Sequence, residues 1–238
     1  MCAYLILDLD DTLFPTSKFL IKARGDAAKA MIKKGLPEKS WRHLKEKIDK
    51  IVTSFGANYQ QHFSRLCEEY GLEPDPRVIA SGIVAYHNAK AEMLRPDPGV
   101  REILSRLRRN GHTLILISVG KPVKQWEKIE RLGLEKQFSH ITILDEKKGK
   151  NLSLKQKAFQ ECMKELSCGP SQMIVIGDRI SSEIAAGNGL GMHTVRVLMG
   201  KRRCAIPSSP DEQADITIKS LSGLPGRIRE LTRNVHKI

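Results

Sequence analysis

The sequence feature that most constrains the fold is a short apolar run that ends directly in carboxylates. Residues 3–7 are apolar or aromatic, and Asp8, Asp10 and Asp11 follow with no turn residue in between. A continuous apolar run of this length is typical of a buried strand in a parallel sheet. Ligands in open α/β sheets bind beyond the carboxyl ends of the strands, so we expect Asp8 to lie at the mouth of a site.

The spacing of these acids has a chemical consequence. In extended backbone Asp8 and Asp10 point to the same side of the strand, whereas Asp11 points away. Two carboxylates that lie close together repel each other unless a cation or a shared proton relieves them. A bound divalent metal such as Mg²⁺, which prefers oxygen ligands, would relieve this repulsion. The alternative is an acidic cluster that only caps a strand or begins a helix.

The remainder of the chain shows two patterns. Residues 15–95 have helical periodicity in four segments, broken by glycine and proline, with no strand pattern between them. Residues 96–238 alternate between short β-prone runs and helices, which is typical of a parallel sheet with helices on both faces. We therefore predict an α/β core formed by residues 1–14 and 96–238. The helices at 15–95 are predicted to be an insertion beside the strand-end site.

The composition limits the classes of function. The formal net charge is +13, from 40 Lys and Arg against 27 Asp and Glu, and such a charge raises the hypothesis of nucleic-acid binding. However, the basic residues are spread along the chain and only 5% of the residues are aromatic. We therefore favour a basic surface that attracts anionic small molecules, and we expect no nucleic-acid partner.

The cysteines and the apolar segments bear on location. The five cysteines form an odd, scattered set without a CxxC pair, which indicates neither a zinc site nor a disulfide framework. The sequence has no secretory signal pattern and no apolar stretch long enough to span a bilayer. We expect a cytoplasmic protein without a membrane partner, and the sequence is also compatible with a homodimer.

Polar residues follow three of the predicted strands. After Asp8, these are Ser118 and then Asp178, with Glu183 five residues further on. A lysine near the start of the helix before Asp178 adds a cation. Singly, such residues could be a helix cap, a turn and a solvated side chain. Together they provide what phosphoryl transfer requires, namely a carboxylate nucleophile, a hydroxyl, a cation and an acidic metal site.

These motifs resemble those of the haloacid dehalogenase superfamily, whose phosphatases use an aspartate nucleophile. The Asp-Leu-Asp-Asp-Thr-Leu run at residues 8–13 is similar to the first motif, Ser118 to the second, and the stretch from Gly177 to Glu183 to the fourth. The inserted helices match the cap between the first and second motifs. The stretches at residues 121–129 and 85–88 resemble a group of archaeal phosphatases within that superfamily.

The resemblance implies a fold and a set of catalytic roles. The fold would be a three-layer, Rossmann-like core with a parallel sheet, plus an inserted four-helix cap. Asp8 would attack phosphorus and become an aspartyl-phosphate, and Asp10 would protonate the leaving oxygen and then activate water. Ser118 would bind the phosphoryl oxygens together with the amides of Val119 and Gly120.

The resemblance also implies a Mg²⁺ cofactor. The metal would lie on Asp8, the backbone carbonyl of Asp10 and Asp178, with waters completing its octahedron. Glu183 stands where the family usually has an aspartate. We expect it to reach the metal either directly or only through a water.

A lysine is expected to balance the charge of the phosphoryl group, and two positions are candidates. The Lys-Pro pair that is common in the third motif is absent from residues 147–157. Lys155 lies one turn before the apolar Phe159, and hence on the inward face of its predicted helix. Lys150, in the preceding loop, is the alternative, and we prefer Lys155.

The sequence therefore predicts a Mg²⁺-dependent phosphoric monoester hydrolase that acts on a small phosphorylated metabolite through an aspartyl-phosphate. The presence of Asp10 favours a phosphate ester, because an alkoxide leaving group needs a proton. A sugar-phosphate mutase is one alternative, since the same residues can transfer phosphate between sugar hydroxyls. A catalytically inactive, basic nucleic-acid-binding protein on the same fold is the other. The sequence names no substrate.

Overall fold

The computed structural model describes residues 2–234, which contain six β-strands and nine α-helices. The strands are β1 (Tyr4–Leu7), β2 (Thr113–Val119), β3 (His140–Leu144), β4 (Met173–Gly177), β5 (His193–Val197) and β6 (Ile216–Ile218). The helices are α1 (Thr16–Lys33), α2 (Trp41–Phe55), α3 (His62–Glu68), α4 (Pro76–Met93), α5 (Pro98–Arg109), α6 (Pro122–Leu132), α7 (Asn151–Glu165), α8 (Ala185–Asn188) and α9 (Leu224–Asn234). None of the described helices is both long enough and apolar enough to cross a membrane.

The six strands form one parallel sheet in the order β3-β2-β1-β4-β5-β6. This is the strand order of Rossmann-like folds, in which ligands bind where the order reverses. β1 is central, and its Leu7 lies opposite Leu116 of β2 and Ile176 of β4. The predicted α/β class with a parallel, Rossmann-like sheet is confirmed. The carboxyl ends of β1, β2 and β4 therefore meet at one edge of the sheet.

The packing of α7 on the sheet orients one of the candidate residues. Ile6 of β1 and Ile117 of β2 belong to the same buried apolar cluster as Phe159 of α7. This contact fixes the rotation of α7 about its axis. Lys155 lies four residues before Phe159, on the same face of the helix, so it also points toward the sheet.

The second strand includes a residue that the sequence analysis placed after it. Ser118 was predicted to follow the apolar run of this strand, but β2 continues through Ser118 and Val119. The reason is that Ser118 pairs with Ile143 and Val119 with Leu144 of the neighbouring β3. Ser118 is therefore held by the sheet itself.

The helices α1–α4 lie in the chain between β1 and β2. The described chain divides into one unit up to Ser17 and from Arg95 onward, and a second unit at Lys18–Leu94. Four helices thus follow the first strand, as predicted. It stays a prediction that residues 15–95 form a separate domain and that this domain acts as a cap.

The Lys18–Leu94 unit has an apolar core of its own. Met31, Leu44 and Leu66 are fully buried in one cluster. A Cβ atom on Gly82 would lie 2.9 Å from the Met31 side chain, so the absence of a side chain there lets α4 approach α1 closely. This core explains why the helical periodicity of the sequence is strong in this region.

Candidate active site

Three of the predicted site residues lie at neighbouring strand ends. Asp8 directly follows β1, and its amide donates a 3.0 Å hydrogen bond to the Ile176 carbonyl of β4. Ser118 is in the last part of β2, and Asp178 directly follows β4. All three side chains are buried. The parallel register therefore brings a carboxylate, a hydroxyl and a second carboxylate to the same edge of the sheet.

Lys155 lies against Asp8. Its Nζ donates to Oδ1 of Asp8 at 2.8 Å and to the Ile117 carbonyl at 2.5 Å, and it lies 3.3 Å from Oε1 of Glu183. The Lys155 side chain is 1% exposed. Lys150, the alternative, is an exposed residue at the amino end of α7. Of the two lysines, Lys155 is the one that the fold brings to Asp8.

Burial and the charge of the partner act in opposite directions on the pKa values of Asp8 and Lys155. Burial raises the pKa of Asp8 to about 6, and the attraction of Lys155 only partly offsets this effect. Burial alone would lower the pKa of Lys155, but the negative charges of Asp8 and Glu183 outweigh it and raise the pKa. The pair therefore holds Lys155 protonated, and Asp8 is ionised in most molecules near neutral pH.

Asp10 is held by three donors. Lys128 Nζ lies 2.6 Å from Oδ1 and 2.8 Å from Oδ2, and Gln125 Nε2 lies 2.9 Å from Oδ2. The hydroxyl of Thr16 also donates to Oδ1. Burial would raise the pKa of Asp10, but the charge of Lys128 and the hydrogen bonds from Lys128, Thr16 and Gln125 outweigh it. The pKa of Asp10 is thus lowered, and the side chain is a carboxylate at neutral pH.

Gln125 and Lys128 were not among the site residues predicted from the sequence. They lie three residues apart on α6, the helix that follows the Ser118 strand. The sequence carries a signal of moderate strength, because residues at this spacing share a helix face and Ile129 marks the buried side. Which functional group that face meets depends on how α6 packs, which a single sequence does not give.

Ser118 and the residues after it contact Gln125. Gln125 Nε2 lies 2.8 Å from Ser118 Oγ and 3.1 Å from the Val119 carbonyl. The amide of Gly120, expected to bind phosphoryl oxygens, donates to the Leu144 carbonyl at 2.9 Å. A phosphoryl group would have to compete with that bond for the Gly120 amide. Binding of the phosphoryl group by the amides of Val119 and Gly120 stays a prediction.

Asp178 and Glu183 lie on the other side of Asp8. Burial raises the pKa of Asp178 to about 8, and the negative charges of Asp8 and Glu183 act in the same direction. Glu183 is buried in a π-helical turn, Ile180–Ile184, and its Oε1 accepts a 3.2 Å hydrogen bond from the Ser182 hydroxyl. A Cβ atom on Gly177 would lie 2.7 Å from the Glu183 side chain. The glycine therefore makes room for this glutamate.

The acids at this edge have the chemistry of a cation site. Three carboxyl groups, those of Asp8, Asp178 and Glu183, are buried, and the second oxygen of Glu183 has no hydrogen-bond partner within residues 2–234. Buried carboxyl groups need a proton, a partner or a metal. Residues 2–234 contain no group of three or more His, Cys, Asp or Glu side chains about one metal position. Mg²⁺, however, is commonly held by one or two carboxylates with waters, so these residues fit it.

The side chain of Asp11 holds neighbouring segments of the backbone together. Its backbone is left-handed, with φ of 58°, and its carboxylate accepts from the Ser17 amide at 2.8 Å and from the Ser17 hydroxyl. A Cβ atom on Gly200 would lie 2.3 Å from Asp11 Oδ2, so the chain at Gly200 packs directly on this side chain. Asp11 therefore ties the end of β1 to the start of α1.

Comparison with known proteins gives the family. The model of the haloacid dehalogenase-like hydrolase family matches residues 5–197. A glyceraldehyde 3-phosphate phosphatase from Methanopyrus kandleri is 35% identical over 235 residues, which cover 98% of this chain and 100% of the relative. A glyceraldehyde 3-phosphate phosphatase from Pyrococcus furiosus is 36% identical over 220 residues, which cover 92% of this chain and 90% of the relative. The predicted enzyme class, a phosphoric monoester hydrolase, and the resemblance to archaeal phosphatases are confirmed.

A solved structure supports the fold. A haloacid dehalogenase-like family hydrolase from Xanthomonas campestris matches 100% of this chain and 99% of its own, with a TM-score of 0.68 and 17% identity. The family model, the archaeal relatives and the arrangement of Asp8, Asp10 and Lys155 agree with one another. The chain therefore belongs to the haloacid dehalogenase-like hydrolase family.

Proposed function

We propose that this protein is a Mg²⁺-dependent phosphatase that hydrolyses glyceraldehyde 3-phosphate, or a phosphomonoester of similar size, through an aspartyl-phosphate on Asp8. The observation that carries the proposal is the buried pair of Asp8 and Lys155 at the end of the central strand, with Asp10 two residues on. The names of the two archaeal relatives support the choice of substrate.

The first proposed step is attack by Asp8 on phosphorus. The carboxylate is the attacking form, and a pKa of about 6 leaves most molecules ionised at pH 7. Oδ1 accepts the bond from Lys155, so we assign the attack to Oδ2. The bond between phosphorus and the ester oxygen breaks as the phosphoryl group moves to Asp8. Lys155 and the hydroxyl of Ser118 would offset the charge on the phosphoryl oxygens.

Asp10 would serve both halves of the reaction. In the first half it gives a proton to the leaving alkoxide, and in the second it removes a proton from the water that attacks the aspartyl-phosphate. The bond between Asp8 and phosphorus then breaks and inorganic phosphate leaves. The lowered pKa of Asp10 favours the carboxylate that the second half uses. The first half needs the protonated form of Asp10, and the positive charge of Lys128 opposes the uptake of that proton.

Magnesium is proposed as the cofactor. Asp8, Asp178 and the backbone carbonyl of Asp10 are the proposed ligands, and the Oε2 atom of Glu183 is a further candidate because Oε1 contacts Lys155. The bound ion would neutralise charge on the phosphoryl group and keep the nearby carboxylates ionised. The raised pKa of Asp178 supports this assignment, because a buried carboxyl of this kind needs a positive partner to be ionised.

We also propose that the four-helix insertion at 15–95 is a cap that selects the substrate, as the family resemblance implies. Its place in the chain, directly after the strand that carries Asp8, supports this role. The basic net charge of the chain suits an anionic substrate. A cytoplasmic location and a homodimer stay predictions.

The test is a screen of phosphorylated metabolites, including glyceraldehyde 3-phosphate, for release of inorganic phosphate with Mg²⁺ and with EDTA. We expect turnover that requires Mg²⁺ and is abolished in Asp8→Asn. Acid quenching after brief exposure to radiolabelled substrate should leave a labelled wild-type protein and an unlabelled Asp8→Asn protein. Isomerised sugar phosphate without free phosphate would indicate a mutase. No turnover, together with salt-sensitive DNA binding, would indicate a nucleic-acid-binding protein.

A further inference from the structure

One buried side chain contacts two groups that the proposed reaction uses for different purposes. Gln125 Nε2 lies 2.9 Å from Asp10 Oδ2 and 2.8 Å from Ser118 Oγ, and Gln125 is only 2% exposed. We propose that Gln125 is a positioning residue that holds the proton-transfer carboxylate of Asp10 beside the phosphate-binding hydroxyl of Ser118. This inference rests on the proposed function.

The chemistry of the amide suits positioning. A glutamine amide neither gains nor loses a proton at ordinary pH, so it takes no direct part in proton transfer, but its nitrogen carries two hydrogens. Its acceptors are a carboxylate and a hydroxyl, with the Val119 carbonyl further away at 3.1 Å. Because Ser118 Oγ accepts from Gln125, the hydrogen of Ser118 is directed elsewhere and can be donated to a phosphoryl oxygen.

The surroundings restrict the movement of Gln125. A Cβ atom on Gly120 would lie 3.0 Å from Gln125 Cδ, so the backbone at Gly120 packs against the amide. Ile129, one turn further along α6, is fully buried and anchors the helix. Lys128 adds a second donor to Asp10 from the same helix face. A carboxylate held by two donors on one rigid helix has little freedom to turn away.

The proposed role makes a prediction that depends on the leaving group. An alkyl phosphate needs a proton from Asp10 as its alkoxide departs, whereas 2,4-dinitrophenyl phosphate releases a stable phenolate that needs none. Both substrates need the phosphate contacts of Ser118. The ratio kcat/KM reports only the steps up to the aspartyl-phosphate, so the later hydrolysis of that intermediate does not enter the comparison.

The experiment compares wild type with Gln125→Met, which keeps a side chain of similar length and removes the donor. For glyceraldehyde 3-phosphate we expect kcat/KM to fall by about tenfold more than for 2,4-dinitrophenyl phosphate. For 2,4-dinitrophenyl phosphate we expect kcat/KM to fall by about threefold, because Ser118 loses its partner. The inhibition constant of inorganic phosphate should rise by the same factor. Gln160→Met, the same change at an exposed position of α7, is the control and should behave as wild type.

A second variant keeps the proposal testable if Gln125→Met folds poorly. Gln125→Asn keeps the amide but is one methylene shorter, so it cannot reach both acceptors, and we expect an intermediate loss with the same dependence on leaving group. Equal losses on both substrates, or no loss in a folded variant, would overturn the inference while an active wild type upholds the proposed function. A wild type inactive on both substrates would contradict the proposed function, and the inference with it.

Discussion

Lys128 lies 2.6 and 2.8 Å from the two carboxylate oxygens of Asp10, although the two residues are 118 positions apart in the sequence. The contact joins α6 to the end of β1. Its charge is the main reason that the pKa of Asp10 is lowered in spite of burial. Since Asp10 is the proposed acid and base, Lys128 sets the pH at which this group changes between the two forms.

Lys128→Met should move the acid limb of the pH profile of kcat to higher pH. Water activation requires the Asp10 carboxylate, and loss of the Lys128 charge raises the pKa of that group, so activity should already begin to fall at a less acidic pH. The profile is measured with substrate at saturation. Lys157→Met, which removes an exposed lysine of α7, is the control. An unchanged acid limb would show that Asp10 does not limit turnover through its protonation.

Lys155→Met and Lys150→Met should differ sharply. Removing the Lys155 ammonium leaves the buried side chains of Asp8 and Glu183 without their shared positive partner. It would also remove the proposed counter-charge of the phosphoryl group. We expect kcat/KM to fall by about 100-fold or more and the free energy of unfolding by about 3 kcal/mol. Lys150→Met should change kcat/KM by less than about twofold, as a surface substitution does. The reverse order of the two variants would assign the phosphate-binding role to Lys150.

Gly177→Ala should be destabilising and should reduce activity. The added methyl would lie 2.7 Å from the side chain of Glu183, which must then shift away from Lys155 and from the proposed cation position. We expect the free energy of unfolding to fall by about 1–3 kcal/mol, measured by urea denaturation, together with weaker activation by Mg²⁺. At Gly169 nothing lies within 4 Å of an added Cβ atom, so Gly169→Ala is the control. Equal stability of the two variants would contradict this account of Gly177.

The metal-free protein should lose stability as the pH rises from 7 to about 9. The pKa of Asp178 is about 8 in the fold, above its ordinary value of 3.8, so the folded state binds this proton more tightly than the unfolded state. The resulting stabilisation is full below the unfolded pKa and is lost as the pH rises through the folded pKa. His112, whose pKa is lowered by burial from its ordinary value of 6.5, acts in the opposite direction because its unfolded form binds more protons, and this effect fades as the pH rises above 7.

The measurement is Tm in EDTA at pH 7 and pH 9 for wild type and Asp178→Asn. Wild type should lose more Tm than the variant over this range, because asparagine has no proton to lose. Added Mg²⁺ should raise the wild-type Tm more at pH 9 than at pH 7, since it binds the ionised carboxylates. A wild-type Tm that does not fall relative to the variant would mean that Asp178 is already ionised at pH 7.

The strand-end residues were predictable because the geometry of a parallel sheet determines their positions. Asp8, Ser118 and Asp178 each follow an apolar run. Parallel strands bring such ends to one edge of the sheet, regardless of the length and conformation of the connecting segments. Lys155 was predictable for a related reason, since its spacing from Phe159 gives the buried face of α7. In these cases a local pattern of the sequence, either a continuous apolar run or a period of 3.6 residues, was enough.

The contacts made from α6 were not predictable in the same way. Gln125 and Lys128 are an ordinary polar pair on an amphipathic helix, and their neighbours depend on the packing of that helix beside the end of β1. The bond of Gly120 to Leu144 also depends on β3 pairing beyond the apolar part of β2. The contact of Glu183 with Lys155 requires the π-helical turn and the position of α7 together. Each of these contacts depends on how two separate parts of the fold pack against each other.

The central position of β1 has a consequence for biosynthesis. Of the six described strands it is the first in the chain, whereas its partners β2 and β4 are encoded far downstream. The nascent chain must therefore keep an apolar segment unpaired until β2 (Thr113–Val119) has been made, and without its second partner until β4 (Met173–Gly177) follows. Contacts between such distant segments form slowly. Protection of that segment by a chaperone, or by transient burial against the newly made helices, would decide how much of the translated protein reaches the native state.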